Sequence, residues 1–171
     1  NNWIEQLIKP YTINTRNNLS VSGGAEKARY YIAGTFNVDN GVLKTEQLNN
    51  FNSNVKLINY SVRSNVDIKL TSTTDAAVRV YAQFDDYKGP LLGSNGESGG
   101  ARIFRQAFWT NPVMFPAIYP QSMSEFATHP LFGNAIAPNE GLYVNPYAEM
   151  VRGYSEYNRS NLQAQIELKQ N

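Results

Sequence analysis

The sequence predicts an all-β chain, a partial antiparallel transmembrane β-barrel of about five strands with a short N-terminal helix and a long, partly helical extracellular loop. Three observations carry this reading. Runs of about ten residues alternate apolar and polar side chains, the period of two that pleated backbone imposes. The connections between the runs are short and long by turns, and the prolines gather in one segment between strands.

The chain opens with Asn2-Trp3-Ile4-Glu5-Gln6-Leu7-Ile8, which places Trp3 and Leu7 on one face of two helical turns, with Ile4 and Ile8 beside them. Pro10 stops this helix. A first strand is expected over residues 12–22, with Leu19 and Val21 opposed to Ser20 and Ser22, and Gly23-Gly24 ends it. After a tight turn through Ala25-Glu26-Lys27, a second strand over 28–38 sets Ala28, Tyr30, Ile32, Gly34, Phe36 and Val38 against Arg29, Tyr31, Ala33, Thr35 and Asn37. Asp39-Asn40-Gly41 breaks that run.

The Asn-rich stretch from Val42 to Asn59 is weaker in signal, with Val55, Leu57 and Ile58 indicating that the next strand starts early or carries a bulge. That strand, over 58–71, opposes Tyr60, Val62, Ser64, Val66, Ile68 and Leu70 to Ser61, Arg63, Asn65, Asp67, Lys69 and Thr71. About eleven such residues at roughly 3.4 Å each reach roughly 37 Å, enough to cross a hydrocarbon core at a tilt of about 40°. A second tight turn, Thr71 to Asp75, leads to a strand over 76–87 whose row Ala76, Val78, Val80, Ala82 and Phe84 opposes Arg79, Tyr81, Gln83 and Asp85. The last strand, over 155–170, sets Leu162, Ala164, Ile166 and Leu168 against Gln163, Gln165, Glu167 and Lys169.

From 88 to 153 the alternation disappears, and seven of the eight prolines (Pro90, Pro112, Pro116, Pro120, Pro130, Pro138 and Pro146) fall there while the expected strands contain none. Proline has no N–H for a ladder, so the segment is expected to be loop rather than sheet. A connection of some sixty residues, against a usual length of about 4 to 6, calls for a functional reason. Within it Ala101 to Trp109 is compatible with a helix, Phe104 and Phe108 on one face and Arg102 and Arg105 towards another, ended by Asn111-Pro112. Connections thus run short, long, short, long, as in a membrane barrel with tight turns on one rim and loops on the other. Phe36, Tyr60, Phe84, Tyr87, Tyr154 and Tyr157 gather on the long-loop side, where they would form an interfacial girdle. The apolar rows make Ile32, Val66, Val80 and Ile166 the expected lipid-facing positions.

Composition narrows the function classes. Fifteen basic and fourteen acidic residues leave a net charge of +1 without a polybasic run, so nucleic acid is discounted as a partner. Cysteine is absent and His129 is the only histidine, so no metal site and no cofactor are expected. No run of eighteen apolar residues exists, which excludes a spanning helix but not a spanning strand. No signal peptide opens the chain, so a secreted protein would here be mature or truncated.

Catalytic patterns fit poorly. Asp85-Asp86, with Glu97, Glu140 or Glu156 as partner, could be offered as a glycosidase pair, but nothing in the spacing indicates the carboxylate separation that chemistry needs. His129 precedes a proline without a nucleophilic serine motif around it. The stretch Gly93 to Gly100 lacks the lysine and hydroxyl ending of a phosphate cradle, and in Asn37 to Glu46 glycine falls fifth, where a calcium loop needs it sixth. Sequons at Asn18, Asn59 and Asn158 carry no weight in an Asn-rich chain. No enzyme activity is expected. The long loop is different: Arg102, Phe104, Arg105, Phe108, Trp109, Phe115, Tyr119 and Phe126 either pack together or form a binding surface, since arginine and exposed aromatics anchor interfaces and stack on sugars. Packing is the reading for each taken singly, with part of the surface left to bind. Arg102, Arg105, Phe108, Trp109 and Tyr119 are the ligand- or partner-binding candidates.

Several phrases form a set. Asn2-Trp3-Ile4-Glu5-Gln6-Leu7-Ile8, Asn17-Asn18-Leu19-Ser20-Val21-Ser22-Gly23-Gly24, Glu26-Lys27-Ala28-Arg29-Tyr30-Tyr31 and Phe36-Asn37-Val38-Asp39-Asn40-Gly41, in that order, resemble the start of the barrel in SusC/RagA-type TonB-dependent transporters. Tyr60 to Asp67 is similar to the family's next strand, Asn111-Pro112-Val113 to Tyr119-Pro120 to its post-helix loop, and Asn145-Pro146-Tyr147-Ala148 to its return towards the barrel. The resemblance implies energy-coupled import of a glycan fragment or peptide through a 22-stranded barrel in a Gram-negative outer membrane, capped by a SusD-like surface lipoprotein. This chain has no plug domain and no TonB-contacting segment, so the resemblance makes it a fragment of a single barrel domain, with TonB reached through the missing N-terminal part. Two rivals remain: a soluble β-sandwich or lectin-like carbohydrate-binding module, whose strands would meet in a dry core, and a glycoside-processing enzyme, which needs the carboxylate pair.

Overall fold

A computed structural model describes residues 2–45, 48, 50–93, 95–136, 138–139 and 141–170. It is mostly antiparallel β, and the chain divides into two compact units, one of Asn1–Thr12, Asn40–Val55 and Lys88–Glu156, the other of Ile13–Asp39, Lys56–Tyr87 and Tyr157–Asn171. The elements run α1 (Trp3–Leu7), β1 (Thr15–Ala25), β2 (Ala28–Asn40), β3 (Lys56–Lys69), β4 (Thr74–Pro90), α2 (Gly99–Trp109), β5 (Ile118–Tyr119), β6 (Leu131–Phe132), β7 (Ala135–Ile136), β8 (Leu142–Tyr143), α3 (Pro146–Val151) and β9 (Tyr154–Gln170), with a 3-10 turn at Gln121–Met123. No described helix is long and apolar enough to cross a membrane.

The sheet unit is built on one five-stranded sheet in the order β1-β2-β3-β4-β9. β1 and β2 are antiparallel, with Thr15 opposite Val38, Leu19 opposite Gly34, Val21 opposite Ile32 and Gly23 opposite Tyr30. Side chains directly opposite share a face, so the row of Leu19 and Val21 joins that of Tyr30, Ile32 and Phe36. Contacts carry the same parity across the sheet. Thr35 and Ser61 hydroxyls lie 2.7 Å apart and the Asn37 amide donates to Asn59 at 3.3 Å. The Tyr60 and Phe84 rings stack with centroids 5.1 Å apart.

The first strand is displaced from its expected place. β1 runs to Ala25 rather than stopping at the two glycines, and the turn is only Glu26-Lys27. Gly23 and Gly24 pair with Tyr30 and Arg29, and a Cβ at Gly23 would lie 2.6 Å from the Tyr30 hydroxyl. The ring therefore lies across the glycine on an edge strand, covering backbone that has no side chain of its own. β3 starts at Lys56, two residues before the expected 58, and β4 spans Thr74 to Pro90. Pro90 ends that strand, where no ladder donor is required of it.

The loop unit holds the molecule's buried apolar cluster: Trp3, Leu7, Leu43, Ile103, Ala107, Phe115, Tyr147, Met150 and Val151. In α1, Trp3 and Leu7 repeat at i and i+4 and point inward, and the Asn2 side chain caps the helix by accepting from the Glu5 N–H. Leu43 reaches the cluster because Lys9 N–H donates to Val42 C=O at 2.7 Å and Lys44 N–H to Leu7 C=O at 2.8 Å, an isolated antiparallel bridge between Ile8 and Leu43. The Asn-rich stretch is ordered by its own amide: Asn54 accepts from Leu43 N–H at 3.1 Å and donates to Gly41 C=O at 3.0 Å. α2 adds Ile103 and Ala107 at helical spacing, and Trp3 meets Phe115 at 5.9 Å.

The expectation that 88–153 contains no sheet is corrected by two short pairs, β5 with β6 and β7 with β8. Each has two residues per strand, too few for alternation to register. The sequence reading also lacks α3, where Asn145 at the cap followed by Pro146 at the first helical position is a readable start signal.

Candidate functional site

Three surfaces concentrate function-bearing side chains, the two faces of the sheet and the outer face of α2. No described residue of the sheet unit is buried. On one face stand Leu19, Val21, Tyr30, Ile32, Phe36, Tyr60, Val62, Ile68, Val78, Val80, Leu162, Ile166 and Leu168, all exposed large apolar side chains. Of the four expected lipid-facing residues, Ile32, Val80 and Ile166 are exposed and Val66 is half-buried.

The opposite face is polar and internally bonded. Asn37 donates to Asn59, Asn59 to the Asp85 carboxylate, and Gln83 to the same carboxylate at 3.1 and 3.2 Å. Tyr81 donates to Gln83 at 2.7 Å, and Arg63 sits over the Tyr81 ring at 5.3 Å. Further along, Arg79 bridges three strands, with Asp67 at 3.6 Å and Glu167 at 3.2 Å. At the other end Arg16 pairs with Asp39 at 2.5 Å. Adjacent strands lie about 4.8 Å apart, so polar side chains of matching parity are brought within hydrogen-bonding reach by alternation alone. The sequence gives the parity of each strand but not the register that joins Asn37, Asn59 and Asp85.

On α2, the five loop candidates separate. Ile103 and Ala107 take the buried stripe, which leaves Phe104, Phe108 and Trp109 outward at 44, 63 and 74 % exposure. Phe104 and Phe108 meet edge to face at 4.9 Å, and the Arg105 guanidinium lies 5.4 Å from the Trp109 ring while pairing with Glu97 at 2.7 Å. Arg102 is instead tied to Glu149 of α3 at 3.1 Å, both side chains largely covered, and so holds two helices together. Tyr119 is half-buried in β5, opposite Leu131. Arg105, Phe108 and Trp109 therefore share a surface, whereas Arg102 and Tyr119 serve the packing of the unit. Among the remaining loop aromatics Phe115 is buried and Phe126 stands 94 % exposed.

Asn145 stands in the sequence only as part of the Asn145-to-Ala148 phrase, and its bonding role is not visible there. Its buried side chain accepts from the Tyr147 and Ala148 N–H groups, at 3.0 and 3.2 Å, and donates to Ala117 and Gly133 carbonyls at 2.8 and 3.0 Å. It uses both donors and its carbonyl to join three chain segments.

The catalytic alternatives gain little. Asp85 is held by amides, and Glu140 lies outside the described residues, as do Ser94 of the glycine-rich stretch and Glu46 of the calcium-like one. His129 is exposed, its Nδ1 3.1 Å from the Pro130 carbonyl. Among the described residues no group of three or more histidine, cysteine or carboxylate side chains could hold a metal ion. No family model, curated protein or solved structure matches the chain.

Proposed function

We propose that the chain is a segment of a TonB-dependent outer-membrane importer of large nutrients, glycan fragments or peptides, as its resemblance to SusC/RagA-type transporters implies. It supplies five strands of barrel wall and one large extracellular loop, and performs no covalent chemistry. A surface lipoprotein of SusD type docks on the loop, with the aromatic face of α2 as its contact, and TonB engages parts of the protein outside these residues.

The observation that supports this reading most is the sheet's two-sidedness without burial. Its strands are 11 to 17 residues long, against the roughly 9 to 11 needed to cross a bilayer. Burying one Val, Leu or Ile contributes about 1.5–3 kcal/mol, and a soluble sheet would gain that by covering its apolar face. A bilayer offers the same gain with no second layer of protein. Backbone groups at the outer edges of β1 and β9 then require further strands, because hydrocarbon penalises each unpaired group by several kcal/mol. A β-sandwich would instead set the same apolar rows against a second large sheet.

Cell fractionation of the parent protein tests the reading. It should sit in the outer membrane, require detergent and co-purify with a lipoprotein, which the paired change Phe108→Ala, Trp109→Ala releases. A soluble, monodisperse parent protein would contradict it.

A further inference from the structure

At the hairpin-turn end of the sheet a cavity of about 500 Å³ opens, lined by Lys27, Arg29, Asp67, Lys69, Asp75, Arg79, Glu167 and Lys169 among others. Its charges are unevenly satisfied. Arg79 takes both Asp67 and Glu167, while Lys27, Arg29, Lys69 and Lys169 form no ion pair among the described residues, and neither do the nearby Glu26 and Asp75. Counting Arg79 with its two carboxylates, five cations face four carboxylates, a net charge of +1, and the four cations without an ion pair outnumber the two such carboxylates. The Lys69 N–H donates to the Lys27 carbonyl at 2.8 Å, so Lys27 of the turn lies beside Lys69 at the end of β3. Like charges in that relation repel, and ammonium groups can donate but not accept.

We propose that this cavity is a binding site for a small polyanion, a molecule carrying two or more phosphate or carboxylate groups. Its volume falls in the usual range for small-molecule pockets, about 300–1,000 Å³. Lys27 and Lys69 supply paired point charges, Lys169 a third across the sheet, and Arg29 a planar fork that matches either oxyanion. Arg79 stays with its carboxylates. The inference rests on the proposed function only in requiring that this face of the sheet be wet, as a barrel lumen is.

The test is calorimetric titration of the intact parent protein in detergent with inorganic triphosphate and, separately, citrate. Saturable binding is expected for at least one, and which one identifies the oxyanion class. The double change Lys69→Gln, Lys169→Gln should weaken it by about ten-fold or more, as should raising salt from about 50 to about 500 mM, while Lys9→Gln leaves it unchanged. If that double variant does not fold, Lys27→Gln, Arg29→Gln at the turn replaces it with the same expectation. Absence of binding to the unchanged protein, or binding indifferent to these changes, overturns the site. Neither result alters the lipid accessibility of Ile32 or Ile166, which tests the barrel reading separately.

Discussion

The loop unit and the sheet unit solve the burial problem in opposite ways. The loop unit, although rich in proline and asparagine, has a conventional interior in which Leu7, Ile103 and Met150 are almost fully covered and buried polar groups such as Asn54 and Asn145 are bonded. The sheet unit is made of long, regular strands and has no described buried residue. Regular secondary structure and a dry core are therefore separable here: the loop unit supplies its own interior, while the described residues of the sheet unit have none. That contrast is what the proposed membrane wall with a folded extracellular loop requires.

Substitutions can break this contrast at either end. The largest effect is expected from Leu7→Ala, which should cost about 2–5 kcal/mol and show as lost amide protection in the loop unit while strand protection persists. Val80→Arg should cost about 2–4 kcal/mol when unfolding is measured from a bilayer, whereas Gln163→Arg, on the polar face, should change little. Asn145→Ala strips a helix cap and leaves two carbonyls without their donor, a loss of about 2–3 kcal/mol, read as faster proteolysis between residues 117 and 146. Arg79→Gln, an exposed ion pair, should cost less than about 1 kcal/mol and still leave the strands folded.

Much of the sheet was legible in the sequence because alternation and parity are local properties: the rows around Ile32, Val66, Val80 and Ile166 need no knowledge of partners. The end of β1 was not, since Gly23 looks like a terminator until Tyr30 is seen lying over it. In the loop, periodicity identified α2 but not which of its faces is buried. Ile103 and Ala107 are smaller than Phe104, Phe108 and Trp109, and only the positions of α1 and α3 explain why the small residues go inward. Asn145 was visible as part of an Asn-Pro pair, yet its bonds to Ala117 and Gly133 span 28 and 12 residues and leave no trace in spacing.

The central claim is that one face of the sheet meets acyl chains while the other meets water. Nitroxide labels placed singly at residues 32, 66, 80 and 166, and at 61, 83 and 163 on the opposite face, can be read in the bilayer-embedded parent protein by collision with oxygen and with a water-soluble nickel chelate. The account predicts oxygen-dominated relaxation at the first four and chelate-dominated relaxation at the other three. Labels at 32, 66, 80 and 166 reached by neither reagent, as in a protein interior, or reached equally by both on either face, would contradict it.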